Sequence, residues 1–399
     1  MTTIARHADY LCSAIARLGS ESAFEVLARA KAIEAGGRRV VHMEIGEPDF
    51  DTPDHIKRAG IAAIEENYSH YSPSAGIPEL RETIAEYASK YRGLTPAYAP
   101  HNVVVGAGAK PIIWNLLSAL LDPGDELVYA DPAYPAYASA ASYLQAKPIP
   151  VHLLESRNWR LDLDELAAKV GPKTKAVVIN SPHNPTGGVL LREDLERIAE
   201  LAERHNFLVI SDEIYSRNRY VDYFHSISQL EGMRERTIIV DGFSKAYAMT
   251  GWRLGYCIAP EEIATAVTLF NNNTFSCVAT FVQRAGIAAL TGDDAPVERM
   301  NEIFRERRDA IVSGLNRIPN VSCTLPEGAF YAFPNVSQIT GDDKHLARWL
   351  LENAGVACLG GSSFGPAGAG YLRFSYAASL DDIAWALEQL RVALPRYQG

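Results

Sequence analysis

Lys245 lies in the segment Asp241-Gly-Phe-Ser-Lys-Ala-Tyr-Ala-Met-Thr-Gly-Trp-Arg-Leu-Gly255, directly after the apolar run Thr237-Ile-Ile-Val240. The run reads as a buried strand, and Gly242 as its end. A lysine at the C-terminal end of such a strand sits where open α/β sheets bind ligands. Desolvation there favours the neutral amine, which is the nucleophilic form. Arg253 stands eight positions further on, and its planar guanidinium can grip a phosphate in two-pronged fashion. An amine able to bond an aldehyde, beside a phosphate-binding arginine, fits pyridoxal phosphate. A solvated surface lysine with an unrelated arginine is the plain alternative, so the neighbouring loops have to decide.

Four of them carry suitable groups. Gly106-Ala-Gly-Ala-Lys-Pro111 follows the apolar run Val103–Val105. Its small residues let backbone approach an anion, and Pro111 suits the first turn of a helix whose free N–H groups point at the ligand. The loop lacks the third glycine of a dinucleotide fingerprint and the GK[ST] ending of a Walker A loop. Asp131-Pro-Ala-Tyr134 offers an aromatic ring for stacking on a cofactor. Asn180-Ser-Pro-His-Asn-Pro-Thr-Gly187 holds Asn184 before a proline, biased toward extended backbone. A rigidly held amide can donate to a phenolate oxygen. Asp212-Glu-Ile-Tyr215 ends another apolar run, Phe207–Ser211. A carboxylate buried there needs a cationic partner, which a protonated pyridine nitrogen would supply, making the ring an electron sink. Tyr215 is in reach of the ring oxygen, and a simple helix cap is the competing role for Asp212. Further on, Arg373 in Gly370-Tyr-Leu-Arg-Phe-Ser375 lies inside an apolar strand. A substrate carboxylate would pair with it bidentately, and a chain carboxylate would satisfy it equally.

The elements that must position these groups follow from hydrophobic periodicity. Strands at Val103–Val105, Leu127–Ala130, Ala176–Ile179, Phe207–Ser211 and Thr237–Val240 alternate with helices near Pro111–Leu121, Tyr134–Leu144 and Arg192–His205. Unbroken apolar strands alternating with helices predict an α/β fold with a mainly parallel sheet covered on both faces. After about residue 285 the pattern becomes α+β. Helices are expected at Ala295–Asn316, Lys344–Ala354 and Ser379–Ala393, and strands near Val321–Thr324, Ala329–Phe333 and Tyr371–Ser375. Ser22 is expected to cap an N-terminal helix that ends at Gly36-Gly37. This divides the chain into a large domain, 46–285, and a smaller α+β domain formed by 1–45 and 286–399.

Bulk properties set the outer limits. The 399 residues, 47% hydrophobic, suffice for two or three domains with large cores. A net charge of −10 argues against general nucleic-acid or anionic-membrane binding, without excluding a small anion held locally. The five scattered cysteines contain no CxxC pair and read as free thiols of a reducing compartment. Met1–Asp9 lacks the apolar core of a signal peptide, and no run reaches membrane-span length. A cytoplasmic protein is expected, with no metal-ligand cluster in its sequence.

Asn184 in SPHNPTG, Asp212 and Tyr215 in SDEIY, Lys245 and Arg253 in SKAYAMTGWRLGY, and Arg373 in YLRFSYA together resemble the fold-type I, pyridoxal-phosphate-dependent aminotransferases. The likeness is to the class I/II, aspartate aminotransferase-like group. It runs from about Phe24 to Ala393, and Asn184, Asp212, Lys245 and Arg253 keep order at separations of 28, 33 and 8. The resemblance implies that Lys245 forms the internal aldimine and shuttles the α-proton, while Asp212 pairs with the pyridine nitrogen. Asn184 and Tyr215 would bond the ring oxygen, and Tyr134 would stack on the ring. Arg253, Ser244 and the backbone of Gly108, Ala109 and Lys110 would hold phosphate. Arg373 and Asn184 would grip the substrate α-carboxylate, near the backbone of Gly46. Family members are homodimers with shared sites, so Tyr71 would reach the neighbour's phosphate.

The activity so implied is ping-pong transfer of an amino group between an L-amino acid and a 2-oxo acid. A β-elimination lyase or an amino-acid oxidase would use the same lysine and aspartate. A regulator with such a domain would need a DNA-binding segment ahead of residue 24. Dicarboxylate-specific relatives carry an extra arginine donated across the dimer, and 271–280 contains no Arg or Lys. That departure puts an aspartate preference in doubt.

Overall fold

The computed structural model describes residues 10–19 and 22–399, and Met1–Asp9 lies outside them. The described residues form thirteen strands and twelve α-helices. The strands are β1 (Val41–His42), β2 (Val103–Gly106), β3 (Glu126–Asp131), β4 (Lys147–Leu154), β5 (Arg160–Leu161), β6 (Thr174–Asn180), β7 (Leu208–Asp212), β8 (Thr237–Gly242), β9 (Gly255–Ile258), β10 (Tyr331–Ala332), β11 (Val356–Ala357), β12 (Leu359–Gly360) and β13 (Leu372–Ser375). Eight of them build one sheet in the order β2-β9-β8-β7-β6-β3-β4-β5. The pairs β4/β3, β3/β6, β6/β7 and β7/β8 are parallel, while β9 runs antiparallel to both β8 and β2. The expected mainly parallel sheet is therefore present, with β9 reversed in its body and β5 reversed at its edge.

The helices follow from the same patterning. They are α1 (Ser22–Ala35), α2 (Asp54–Glu65), α3 (Pro78–Arg92), α4 (Ala109–Leu120), α5 (Ala136–Tyr143), α6 (Leu163–Lys169), α7 (Arg192–His205), α8 (Glu261–Thr274), α9 (Thr280–Thr291), α10 (Ala295–Leu315), α11 (Asp343–Ala354) and α12 (Leu380–Ala393). Parallel neighbours need a crossover, and α7 supplies it between β6 and β7. Its Leu195, Ile198, Leu201 and Ala202 are buried, while most of its charged residues, the buried Asp194 excepted, face out. All six residues of β8 are buried, as expected of a strand covered on both faces. Each of Ile238, Ile239 and Val240 contributes roughly 1.5–3 kcal/mol by that burial. Lys245 thus follows, three residues on, a strand end buried on both faces.

Around α10, α11 and α12 a separate core gathers Phe304, Ile311, Leu346, Leu350, Phe374 and Leu390. There β10-β13-β12 form an antiparallel sheet, and β1 pairs with β11 in parallel. β1 is thereby tied to the C-terminal part. Two expectations need correction. Val321–Thr324 is not a strand: only the bridge Ser322–Asn335 forms, and the Asn316 side chain takes over the backbone N–H and C=O of Cys323. Ser22 is the first residue of α1 rather than a cap ahead of it. Among the described residues no helix is long and apolar enough to cross a membrane.

Candidate active site

At the C-terminal ends of β3, β6, β7 and β8 the chain opens into a cavity of about 520 Å³. Eleven expected residues line it: Gly46, Ala109, Lys110, Tyr134, Asn184, Asp212, Tyr215, Ser244, Lys245, Arg253 and Arg373. Residues 46 and 373 reach it from the β1 and β13 side, so the two parts of the fold meet over the site. Gly108 adjoins the cavity as the residue preceding α4. Tyr71 lies elsewhere on the surface, 92% exposed.

Asp212 ends β7 and is buried. It accepts from the Tyr137 hydroxyl at 2.6 Å and from the Ile214 N–H at 3.2 Å. The local turn role and the ligand-facing role therefore coexist on its two oxygens. Burial pushes its carboxyl up to about 6 despite those bonds. A carboxylate so desolvated favours a cation placed against it. Asn180 lies beside Asp212 in the β6/β7 register and donates to its backbone carbonyl at 2.9 Å. Its own side-chain oxygen accepts from the Asn184 N–H, also at 2.9 Å.

Lys245 Nζ donates to the Gly46 carbonyl at 2.5 Å. Gly46 comes that close because it has no side chain: a Cβ there would overlap the Tyr331 hydroxyl. Tyr331 in turn shares a 2.7 Å hydrogen bond with Tyr215, whose phenol burial pushes well above its ordinary range. Arg373 is buried, donates to Asn184 Oδ1 at 3.2 Å and to the Glu44 carbonyl at 2.5 Å, and lies between the rings of Tyr331 and Phe364. Its guanidinium is thus fixed in orientation before any substrate arrives.

The end of the cavity nearest α4 is built largely from backbone. Gly108, with φ of +96°, leads into α4, whose first-turn N–H groups have no acceptor within the helix. Arg253 packs against Gly108 so closely that a Cβ there would meet its guanidinium. It donates to the carbonyls of Thr250 and Ala107 at 2.9 and 3.2 Å. Its own backbone is left-handed, φ of 56°, an uncommon conformation for a side-chain-bearing residue and one that concentrates at functional sites. These groups fit a phosphate-bearing pyridine aldehyde: a helix N-terminus with an arginine at one end, a buried carboxylate at the other, and a lysine between.

Several cavity residues escaped the sequence reading. Tyr137 lies one helical turn beyond Tyr134, a spacing that would have placed both on one face. Asn180 stands at the end of β6 as Asp212 does at the end of β7, a parallel that only strand register reveals. Tyr331 had no local signal, since its strand is two residues long. The stretch 271–280 lines no part of the cavity in its own chain. Among the described residues no group of His, Cys, Asp or Glu could hold a metal ion.

The sheet and its cavity define an α/β protein with a ligand site that brings together a lysine, a buried carboxylate and two arginines. The family model for aminotransferases of class I and II matches residues 38–390, and the chain belongs to that family. It is 39% identical to a probable aspartate/prephenate aminotransferase of Aquifex aeolicus, over 96% of this chain and 98% of that one. The solved aspartate aminotransferase from Thermus thermophilus with maleate superposes with a TM-score of 0.92 at 36% identity, covering 96% and 99% of the two chains. An aromatic aminotransferase structure from Pyrococcus horikoshii matches with a TM-score of 0.87 at 40% identity, over 92% and 99%. The chain is an aminotransferase, and membership of this family implies pyridoxal phosphate as cofactor.

Proposed function

We propose that the cavity transfers an amino group between an L-amino acid and a 2-oxo acid in ping-pong fashion, with Lys245 holding pyridoxal phosphate covalently. The observation that carries this is the convergence of Lys245, Asp212 and the Gly108–Arg253 cradle on one cavity. When bound, the cofactor supplies an electron-withdrawing ring joined to the substrate nitrogen. Asp212 would hold a proton on the ring nitrogen, and Tyr137 orients the carboxylate through its 2.6 Å bond. Tyr215 and Asn184 would bond the ring oxygen, and Tyr134 would stack on the ring. Ser244, Arg253 and the N–H groups of Ala109 and Lys110 would hold the phosphate.

Arg373 and Asn184 bind the α-carboxylate, which both substrates carry, so one grip serves both halves of the cycle. Lys245 Nζ removes the proton from the substrate α-carbon and later returns one. The Gly46 carbonyl, which accepts from that amine, keeps it beside the substrate end of the cavity. Lys110 Nζ, 5.8 Å from the Tyr134 ring centroid, is a further cation in the lining beside Lys245, Arg253 and Arg373. Together with relatives named for aspartate, this favours a dicarboxylic amino acid among the donors, in spite of the uncharged 271–280 stretch.

The proposal includes a homodimer in which Tyr71 of one subunit reaches the other's phosphate. It also includes a division into domains at 45/46 and 285/286, and a cytoplasmic setting. The exposed apolar side chains of Ile61, Ile64 and Leu269 support the dimer, and the unpaired cysteines support the setting.

Lys245→Ala tests the core of this reading. It is expected to abolish the visible absorbance of the lysine-bound cofactor. It should also lower kcat by on the order of 10⁴ or more, the scale of losing a covalent nucleophile. Turnover at the parent rate would refute it.

A further inference from the structure

We propose that Arg92, Glu213 and Asp241 form a charged staple behind the cavity that sets the spacing of the β7 and β8 ends and so positions Asp212 against Lys245. The inference rests on the roles given above to those two residues. Arg92 is the last residue of α3, with 1% of its surface exposed. Its Nε and Nη2 both donate to Glu213 Oε2, at 2.9 and 2.6 Å, and Nη2 also lies 3.4 Å from Asp241 Oδ2. Nη1 donates to the Ala88 carbonyl at 3.2 Å.

The two carboxylates are themselves saturated. Glu213 Oε1 accepts from the hydroxyls of Ser211 and Ser226 at 2.9 and 2.6 Å. Asp241 accepts from the Gly242 N–H at 2.7 Å and from the Tyr256 hydroxyl at 3.2 Å. None of the three lines the cavity.

Their place in the sequence makes them levers on it. Glu213 follows Asp212 directly, and consecutive extended residues point to opposite sides, so fixing one carboxylate behind the sheet end orients the other toward the cavity. Asp241 precedes Lys245 by four residues, and Asp212 lies opposite Val240 in the β7/β8 register. One guanidinium therefore joins the two strand ends from which the reacting residues emerge. A buried charged cluster is a poor device for stability alone, since apolar replacements of similar size often hold a fold as well or better. It does fix a single geometry, and transfer of a proton between fixed groups is sensitive to displacements of about 1 Å.

The test compares the cofactor-loaded parent with the uncharged triple variant Arg92→Met/Glu213→Gln/Asp241→Asn and with Arg92→Lys. For each, melting temperature, cofactor content, kcat, KM and the pH midpoint of the visible band would be measured. Removing all three charges together leaves no unpaired buried ion, so the triple variant is expected to keep cofactor content and melting temperature. Its kcat should fall about 10-fold or more with KM within about two-fold, and the midpoint should shift. Arg92→Lys, which keeps the charge but loses the fork, should show the same split more weakly and covers the case of a poorly folding triple variant. Parent-like kcat and midpoint in either variant, at parent-like cofactor content, overturns the staple. Lys245→Ala run alongside keeps the two ideas apart: if it stays fully active, the reading of the site fails instead.

Discussion

Asp212 concentrates the electrostatics of the site in one side chain. Its carboxyl is pushed up to about 6 by burial, against an ordinary value of 3.8. The folded, cofactor-free chain thus favours the protonated form. That contribution to stability is complete below the unfolded value and is lost as pH rises through about 6. In protein stripped of cofactor, Asp212→Asn is expected to gain in melting temperature over the parent as pH goes from about 4 to about 7. Asp241, pushed up to about 7 in the same way, supplies a further slope that this variant leaves in place. A gain independent of pH would contradict the assignment. In loaded enzyme the same substitution should retain cofactor but lose kcat by roughly 10²-fold or more, the scale of removing one preorganised electrostatic partner. Arg373→Ala should act on binding instead, raising KM for amino acids roughly 10- to 100-fold through one lost charge-assisted pair. Decarboxylated amines should be spared, which a comparison of the two substrate series reads directly. The residue types were legible because Asp212 ended an apolar run and Arg373 was a charge inside one. Tyr137 and Tyr331 were not, because what qualifies them is a hydrogen bond to a group far away in sequence.

At the scale of elements, the loops matter through how closely their backbones approach. Gly255 opens β9 opposite Gly106, and a Cβ on it would lie 2.6 Å from the Ala109 nitrogen and 2.7 Å from the Gly108 carbonyl carbon. Gly255→Ala should therefore push the start of α4 away from Arg253. A loss of about 1–3 kcal/mol by overpacking is expected, and cofactor affinity should fall with it. Thermal melting with and without cofactor separates the two effects. Periodicity made β6, β7, β8 and α7 readable, since each buries a continuous face. The same reading passed over α2, α3, α8, α9 and β9. The helices bury only parts of their surfaces, and β9 is a reversed four-residue strand whose direction depends on its partners. It also promoted Val321–Thr324 to a strand, because apolar residues cannot reveal that an asparagine side chain has replaced the ladder.

At the scale of the whole molecule, the proposed site is incomplete in one chain if Tyr71 serves a partner. Inactive Lys245→Ala chains mixed with weakened Tyr71→Ala chains should then regain activity. In the hybrid, one site receives both an intact lysine and an intact tyrosine. Random pairing puts the recovery at about a quarter of the parent activity for a twofold dimer. No recovery despite subunit exchange, seen by mass spectrometry or sedimentation, would remove Tyr71 from the site. The overall α/β plan and the C-terminal α+β part were visible in the alternation of elements. How β1 joins the C-terminal part was not, since its pairing with β11 spans more than three hundred residues.

The reversal of β9 has a consequence for which molecules can dock. Gly242 and Gly255 face each other across the β8/β9 ladder, so the intervening turn leaves and re-enters the sheet at a single point. Lys245 and Arg253, the proposed covalent anchor and anion clamp, both ride on that one short excursion. It works as a fixed caliper, and a vitamin B6 aldehyde lacking its phosphate would close one jaw only. Such a molecule should still colour the protein, yet wash out on dialysis far sooner than the phosphorylated form.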